Sequence, residues 1–101
     1  MRITDVLNAL RQWLAGMELP AEVLTDSPDR LWVVFETENA LAELRAGDGE
    51  YTPYRFVSFT VLDTRLDTRA EPVFCFHDNE NHTIEDILRE LERGLRFLSG
   101  R

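Results

Sequence analysis

The C-terminal segment carries the most regular pattern in the sequence. Its aliphatic residues recur mainly at steps of three and four, which is the spacing of one face of an α-helix. They are Ile84, Ile87, Leu88, Leu91, Leu95 and Leu98. Thr83, with Asp86 three positions later, forms a variant of the capping box that begins helices. Because such a helix must bury its apolar face, a helix over residues 84–98 requires a partner layer.

A second segment with helical spacing lies near the start of the chain. The pattern predicts a helix over residues 4–17, again with one apolar face. Its apolar residues are Ile3, Val6, Leu7, Leu10, Trp13, Leu14 and Met17. Thr4 has the side chain of a helix N-cap, and Gly16 and Pro20 are stop signals. The sequence therefore predicts one helix at each end of the chain.

The region after the first helix has the pattern of a β-hairpin. Residues 21–25 and 31–37 are rich in β-forming side chains. Residues 26–30, with the sequence DSPDR, lie between them and have turn chemistry, because proline fixes φ and Asp and Ser bond to nearby backbone. We therefore predict two antiparallel strands here.

The next region predicts a short helix and two further strands. Residues 39–46 are mostly helix-forming types, and Gly47 follows as a stop signal. Residues 51–63 contain the longest β-rich run, and residues 72–77 contain another. The predicted order of elements is therefore α-β-β-α-β-β-α.

This order predicts the fold class. Strand pairs joined by short turns form antiparallel sheets, and terminal helices with one apolar face each pack on one side of such a sheet. We expect a single globular α+β domain over residues 1–101. It would be a two-layer sandwich of a mainly antiparallel four-stranded sheet with the N- and C-terminal helices on one face.

The second face of this sheet is the most informative feature for function. Side chains alternate between the two faces of a strand, so the face without helices can be deduced from the sequence. It would show more apolar surface than a water-facing sheet requires. Its residues are Trp32, Val34, Phe56, Leu62, Val73 and Cys75. Such a patch often marks a protein–protein surface, and the alternative is that the helix at 39–46 or a loop covers it.

The net charge restricts the class of partner. The chain has 19 acidic and 11 basic residues, giving a net charge of −8. This disfavours nucleic acids and anionic membranes, which require clustered cations. It favours a protein partner with a basic surface, although solubility alone would also explain it. We expect a cytoplasmic protein, because the sequence shows neither the apolar run of a signal peptide nor a membrane-spanning stretch.

One short stretch, residues 74–83 (FCFHDNENHT), contains the cysteine and both histidines of the chain. Cys75 and His77 share a strand face, His82 follows after a short gap, and Asp78 or Glu80 would complete a tetrahedral metal set. However, no recurring zinc pattern is present, and a cysteine between two phenylalanines is typical of a buried structural residue. We expect no metal, cofactor or catalytic residue, and we expect Cys75 and His77 to contact a partner.

No motif assigns the chain to a family. Its size, charge and element order resemble two groups of small acidic α+β proteins that bind other proteins. These are bacterial immunity or inhibitor proteins, which block a toxin, and dimeric secretion chaperones. The similarity transfers no residue roles.

Three functions follow as hypotheses. The first is a non-enzymatic inhibitor or immunity-type protein that blocks a toxin or other enzyme by steric and electrostatic occlusion. The acidic residues expected at that contact are Asp48, Glu50, Asp78 and Glu80, with residues 26–29. The second is a homodimer that uses the apolar second sheet face as a chaperone or scaffold. The third is a small metal-dependent or Cys/His enzyme centred on Cys75 and the two histidines.

Overall fold

The computed structural model describes residues 2–38, 40–48, 55–64 and 72–98. Within these residues the chain forms a helix, five strands and a second helix. Their bounds are α1 Ile3–Ala15, β1 Ala21–Ser27, β2 Arg30–Glu36, β3 Ala40–Gly47, β4 Val57–Asp63, β5 Phe74–His77 and α2 Ile84–Leu98. The α+β class and both terminal helices are therefore confirmed.

The five strands form one antiparallel sheet in which each strand pairs with the next one in sequence. The predicted hairpin is confirmed as β1 and β2, which meet where Ser27 lies opposite Arg30. One row of side chains runs across β2, β3 and β4: Trp32 is opposite Arg45, and Arg45 is opposite Ser58. Directly opposed residues share a face, so the register shows which side chains can act together.

The predicted helix over residues 39–46 is wrong, because this segment is the central strand β3. Ala42 and Leu44 are buried, whereas Glu43 between them is only half-buried and Arg45 is exposed. This is the period-two alternation of a strand with one covered face. Pairing with β2 and β4 on both sides outweighs the helix propensity of Ala, Leu, Glu and Arg. The sheet therefore has five strands and the described chain two helices, rather than four and three.

A single apolar cluster lies between the helices and one face of the sheet. The strands contribute Leu31, Val33, Phe35, Ala40, Ala42, Leu44, Ala46, Val57, Phe59, Val61 and Phe76, and the helices contribute Val6, Leu7, Leu10, Ile87, Leu91 and Leu98. Within the cluster the rings of Phe35 and Phe59 meet edge to face, with centroids 6.0 Å apart. Because both helices join this cluster, both lie on the same side of the sheet.

The two helices begin with different hydrogen bonds. At α2 the predicted capping box is confirmed, because the Thr83 N–H donates to Asp86 Oδ2 at 3.0 Å and the Asp86 N–H donates to Thr83 Oγ1 at 3.1 Å. At α1 the predicted N-cap, Thr4, is wrong: Arg2 occupies that position, and its N–H donates to Asp5 Oδ2.

Neither described helix is long and apolar enough to cross a membrane.

Candidate functional site

The face of the sheet that points away from α1 and α2 forms the candidate site. We call it the open face, and it comprises Trp32, Val34, Leu41, Glu43, Arg45, Ser58, Thr60, Leu62, Cys75 and His77. These side chains alternate with the buried ones, and they are half-buried or exposed. Since both described helices pack on the opposite face, neither covers this one. The predicted assignment of Trp32, Val34 and Leu62 to this side of the sheet is confirmed.

A tryptophan and an arginine form the centre of the open face. The Arg45 guanidinium lies over the Trp32 ring, with its central carbon 4.5 Å from the ring centroid. Glu43, two residues before Arg45 on the same face, accepts a hydrogen bond from Arg45 Nε at 2.7 Å. Trp32 Nε1 is buried and has no hydrogen-bond partner. A buried indole N–H without an acceptor is uncommon, because most buried polar atoms are satisfied.

Two residues expected on this face occupy a different environment. Phe56, just before β4, and Val73, just before β5, are half-buried and pack against the apolar core cluster. The Arg55 guanidinium also covers the Phe56 ring, at 4.6 Å from its centroid. We therefore leave Phe56 and Val73 out of the open face.

Cys75 and His77 lie side by side on the open face, as their spacing predicted. Cys75 Sγ is 3.7 Å from His77 Nε2, which is within reach of a sulfur hydrogen bond. Thr60, opposite Cys75 in the register, places Oγ1 at 3.9 Å from the same sulfur. The thiol is exposed rather than buried in the strand centre, so the expectation of a buried structural cysteine was wrong.

His82 does not join this pair. Its ring packs edge-on against Phe76, with centroids 5.2 Å apart, and Phe76 belongs to the core side of the sheet. Its Nδ1 accepts a hydrogen bond from the Asn79 N–H at 2.9 Å, which assigns the proton of the neutral ring to Nε2. Cys75 and His77 point to the other side, because neighbouring strand residues alternate. The fold thus separates the two histidines.

Asp78 is a structural residue of the fold. It is 2% exposed, and its Oδ1 accepts hydrogen bonds from the N–H groups of Phe56 and Val57 at 2.7 and 2.8 Å. These bonds tie the end of β5 to the start of β4. Oδ2 is buried and has no partner. The carboxylate is thus not presented to solvent, and Asp78 is excluded from the acidic contact expected of it.

The three connections that carry the acidic residues expected at the partner contact leave the sheet at one end. Arg30, at the β1–β2 turn, is opposite Gly47, and His77 is opposite Ser58 at the start of β4. The β1–β2 turn, the β3–β4 connection and the β5–α2 connection therefore leave the sheet at the same end. Asp29, Asp48 and Glu80 are exposed there. Glu50, expected at the same contact, lies outside the described residues.

A shallow depression lies beside this acidic end, where both helices begin. It is lined by Asp5, Arg55, Glu80, His82, Thr83, Ile84 and Glu85. In the first turn of α2 the pKa of Asp86 lies below its ordinary value, mainly because the Thr83 N–H donates to the carboxylate and then because of the Thr83 side chain and the Arg89 charge. Across the described parts of the chain, no group of three or more His, Cys, Asp or Glu residues is arranged to hold a metal ion.

Three open-face residues were missed from the sequence: Leu41, Glu43 and Arg45. They were missed because residues 39–46 were assigned to a helix. The alternation of Glu43 and Arg45 with Ala42 and Leu44 was the signal that would have found them. Arg45 matters most of these, because it covers Trp32.

Comparison of the chain with protein-family models finds no match, and comparison with curated proteins and with solved structures finds none either. The function must therefore be inferred from the arrangement of the residues described above.

Proposed function

We propose that this chain is a cytoplasmic protein-binding protein of the inhibitor or immunity type. It holds a toxin or another enzyme against its open face and blocks that enzyme by occupying its surface, without catalysing a reaction. The partner carries a basic surface that faces the acidic end of the sheet. Cys75 and His77 take part in this contact as surface groups.

The observation that carries this proposal is the open face itself. An antiparallel sheet with one face in water normally carries polar side chains on that face. Here Trp32, Val34, Leu41 and Leu62 lie on the face without helices and are half-buried, with Arg45 over the tryptophan. Tryptophan and arginine dominate the residues that supply most of the energy at protein interfaces.

Charge supports a basic partner. The net charge is −8, and three exposed carboxylates, those of Asp29, Asp48 and Glu80, lie at one end of the sheet that carries the open face. Complementary potentials raise the rate of association and disfavour partners of the wrong charge. Occlusion of a basic active site uses both the apolar contact and this field.

The partner is best sought by comparing variants side by side. Affinity capture from the source organism would use the wild type, Val34→Glu with Leu62→Glu, and Phe97→Glu. Phe97 is an exposed apolar residue on α2, at 41% exposure, so it controls for adding charge to an apolar surface position. The proposal expects a protein that is retained by the wild type and the Phe97 variant and lost with the open-face variant. The product of the neighbouring reading frame is the first candidate to test directly.

The electrostatic part has its own test once a partner is in hand. Neutralising Asp29, Asp48 and Glu80 should slow association about tenfold at low salt, with a smaller effect on dissociation. Neutralising Glu36, Glu38 and Glu90 changes the net charge equally and should have a smaller effect. A partner that binds both variants and the open-face variant like the wild type would contradict the proposal.

A homodimer is the second candidate, because a second copy would also cover the apolar part of the open face. It would suit a chaperone or scaffold role. Light scattering after size exclusion separates the candidates: a dimer that Val34→Glu with Leu62→Glu dissociates would favour this function. A monomer at high concentration would exclude the homodimer and retain the inhibitor proposal.

A further inference from the structure

The free edge of the sheet at β1 is a second surface with unusual properties. β1 pairs with β2 alone, so the backbone N–H and C=O groups on its outer side have no strand partner among the described residues. Such a row of backbone groups is a template for another strand. The opposite edge, β5, has only four residues, whereas β1 has seven.

Two large apolar residues lie next to each other on this edge. Val23 is 54% exposed and Leu24 is 45% exposed, and of the three exposed large apolar residues in the described chain only Phe97 lies elsewhere. The register shifts between Val23 and Thr25, so Leu24 is the extra residue of a bulge. The bulge leaves a short apolar step rather than a long flat edge.

The chain segment that carries this step is acidic. No basic residue occurs between Arg11 and Arg30, whereas Glu18, Glu22, Asp26 and Asp29 lie in that interval. Asp26 is paired with Arg11 at 3.0 Å, which leaves the other three carboxylates to act on a ligand. An extended segment with basic residues on either side of an apolar centre complements this pattern.

We infer that β1 accepts an extended, basic segment of a partner protein as a sixth strand of the sheet. Main-chain hydrogen bonds to the outer side of β1 hold the segment, and its apolar centre covers Val23 and Leu24. Basic side chains beside that centre meet Glu22 and Glu18. This edge is a different surface from the open face, so the inference and the proposed function are tested separately.

A second copy of the chain fits this edge poorly. In an antiparallel pairing of β1 with itself centred on Leu24, Glu22 of each copy lies opposite Asp26 of the other, whose charge the exposed pair with Arg11 offsets only in part. Like charges directly opposed on neighbouring strands are destabilising. The pairing would also bring together two chains that each carry a net charge of −8. A basic partner segment avoids both effects.

The test uses ¹⁵N-labelled wild type and two capped hexapeptides, RTVVTR and ETVVTE. The inference expects RTVVTR to shift the backbone amide signals of residues 21–27 and to bind about fivefold to tenfold more tightly than ETVVTE, as exposed ion pairs allow. Alternate N-methylation of RTVVTR should abolish binding, because it removes main-chain donors. The double variant Glu18→Arg with Glu22→Arg should reverse the preference between the peptides.

Several results would overturn the inference. They are equal binding of both peptides, no binding up to the solubility limit, signal changes confined to the open face, or β1 signals that move with protein concentration alone, as for a dimer. If the charge-reversal variant does not fold, the double variant Val23→Thr with Leu24→Thr provides an independent test. That variant keeps β-forming side chains on an exposed edge and should weaken RTVVTR binding while its spectrum remains folded. If it binds RTVVTR like the wild type, the inference fails.

Discussion

Gly94 of α2 lies so close to Phe59 of β4 that a side chain has no room between them. A Cβ atom at position 94 would lie 2.6 Å from Phe59 Cε2 and 2.9 Å from Phe74 Cδ1. The missing side chain allows close packing of the helix on the sheet. Two aromatic rings of the core, rather than the helix backbone, therefore select glycine here.

Gly94→Ala should destabilise the fold although alanine is the better helix former. Overpacking costs about 1–3 kcal/mol, and the gain in helix propensity offsets about 1 kcal/mol of it. We therefore expect a net loss of up to about 2 kcal/mol in urea unfolding. Gly16→Ala is the control, because at φ −86° its Cβ would be no closer than 3.7 Å to a neighbouring atom. A stabilising Gly94→Ala would show that the rings move aside.

Asp78→Ala should destabilise the protein through lost hydrogen bonds. The change leaves the Phe56 and Val57 N–H groups without an acceptor. Unsatisfied buried donors cost about 1–3 kcal/mol each, so we expect a loss of about 2–4 kcal/mol in chemical unfolding. Asp78→Asn keeps one acceptor oxygen and should lose less. Equal losses for the two variants would show that the hydrogen bonds are not the cause.

Particular residues explain why one element could be predicted from the sequence and another could not. The helix α2 was predictable because its spacing and its capping box agree with one structure. The strand β3 was not, because Ala42 and Leu44 favour a helix locally and are held in a strand by two neighbouring strands.

The same reasoning applies to the candidate site. The alternation of Trp32 and Val34 with buried residues was visible in the sequence, so the β2 part of the open face could be predicted. The structural role of Asp78 could not, because its partners are 21 and 22 residues away in the chain. The stacking of Arg45 on Trp32 depended on the correct assignment of β3.

Acid should remove the contribution of the α2 cap. The pKa of Asp86 is lower in the folded protein than the ordinary 3.8, mainly because the Thr83 N–H donates to the carboxylate. Because the folded pKa is the lower one, this group stabilises the fold above pH 3.8, and that contribution is lost as the pH falls through the folded pKa.

Thermal unfolding of the wild type and Asp86→Asn between about pH 2 and pH 7 measures this effect. The wild type should have a higher melting temperature than Asp86→Asn near neutral pH, and the difference between the two melting temperatures should narrow below pH 3.8. The same comparison in a Thr83→Ala background should give a smaller difference in melting temperature over this pH range, because that change removes the Thr83 hydroxyl from the capping box. A constant difference across the range would contradict the assignment.

Arg45→Ala should expose the centre of the open face. The guanidinium lies 4.5 Å from the Trp32 ring centroid, so its removal brings water to the indole. We expect a red shift of Trp32 fluorescence and a stability loss below about 1 kcal/mol, since the stack is partly exposed. The measurement uses a Trp13→Phe background with Arg93→Ala as the control. An unchanged spectrum would show that other residues cover Trp32.

The Cys75 thiol provides a direct test of whether the open face is where the partner binds. Because the thiol is exposed, a maleimide should modify it in the folded protein, within about tenfold of the rate for a small-molecule thiol. The bound partner should slow this reaction more than tenfold. A control protein with Cys75→Ser and Arg93→Cys carries its thiol on α2, away from the open face, and should react equally with and without the partner. Protection of the α2 thiol alone would place the partner on the helices and contradict the open-face proposal.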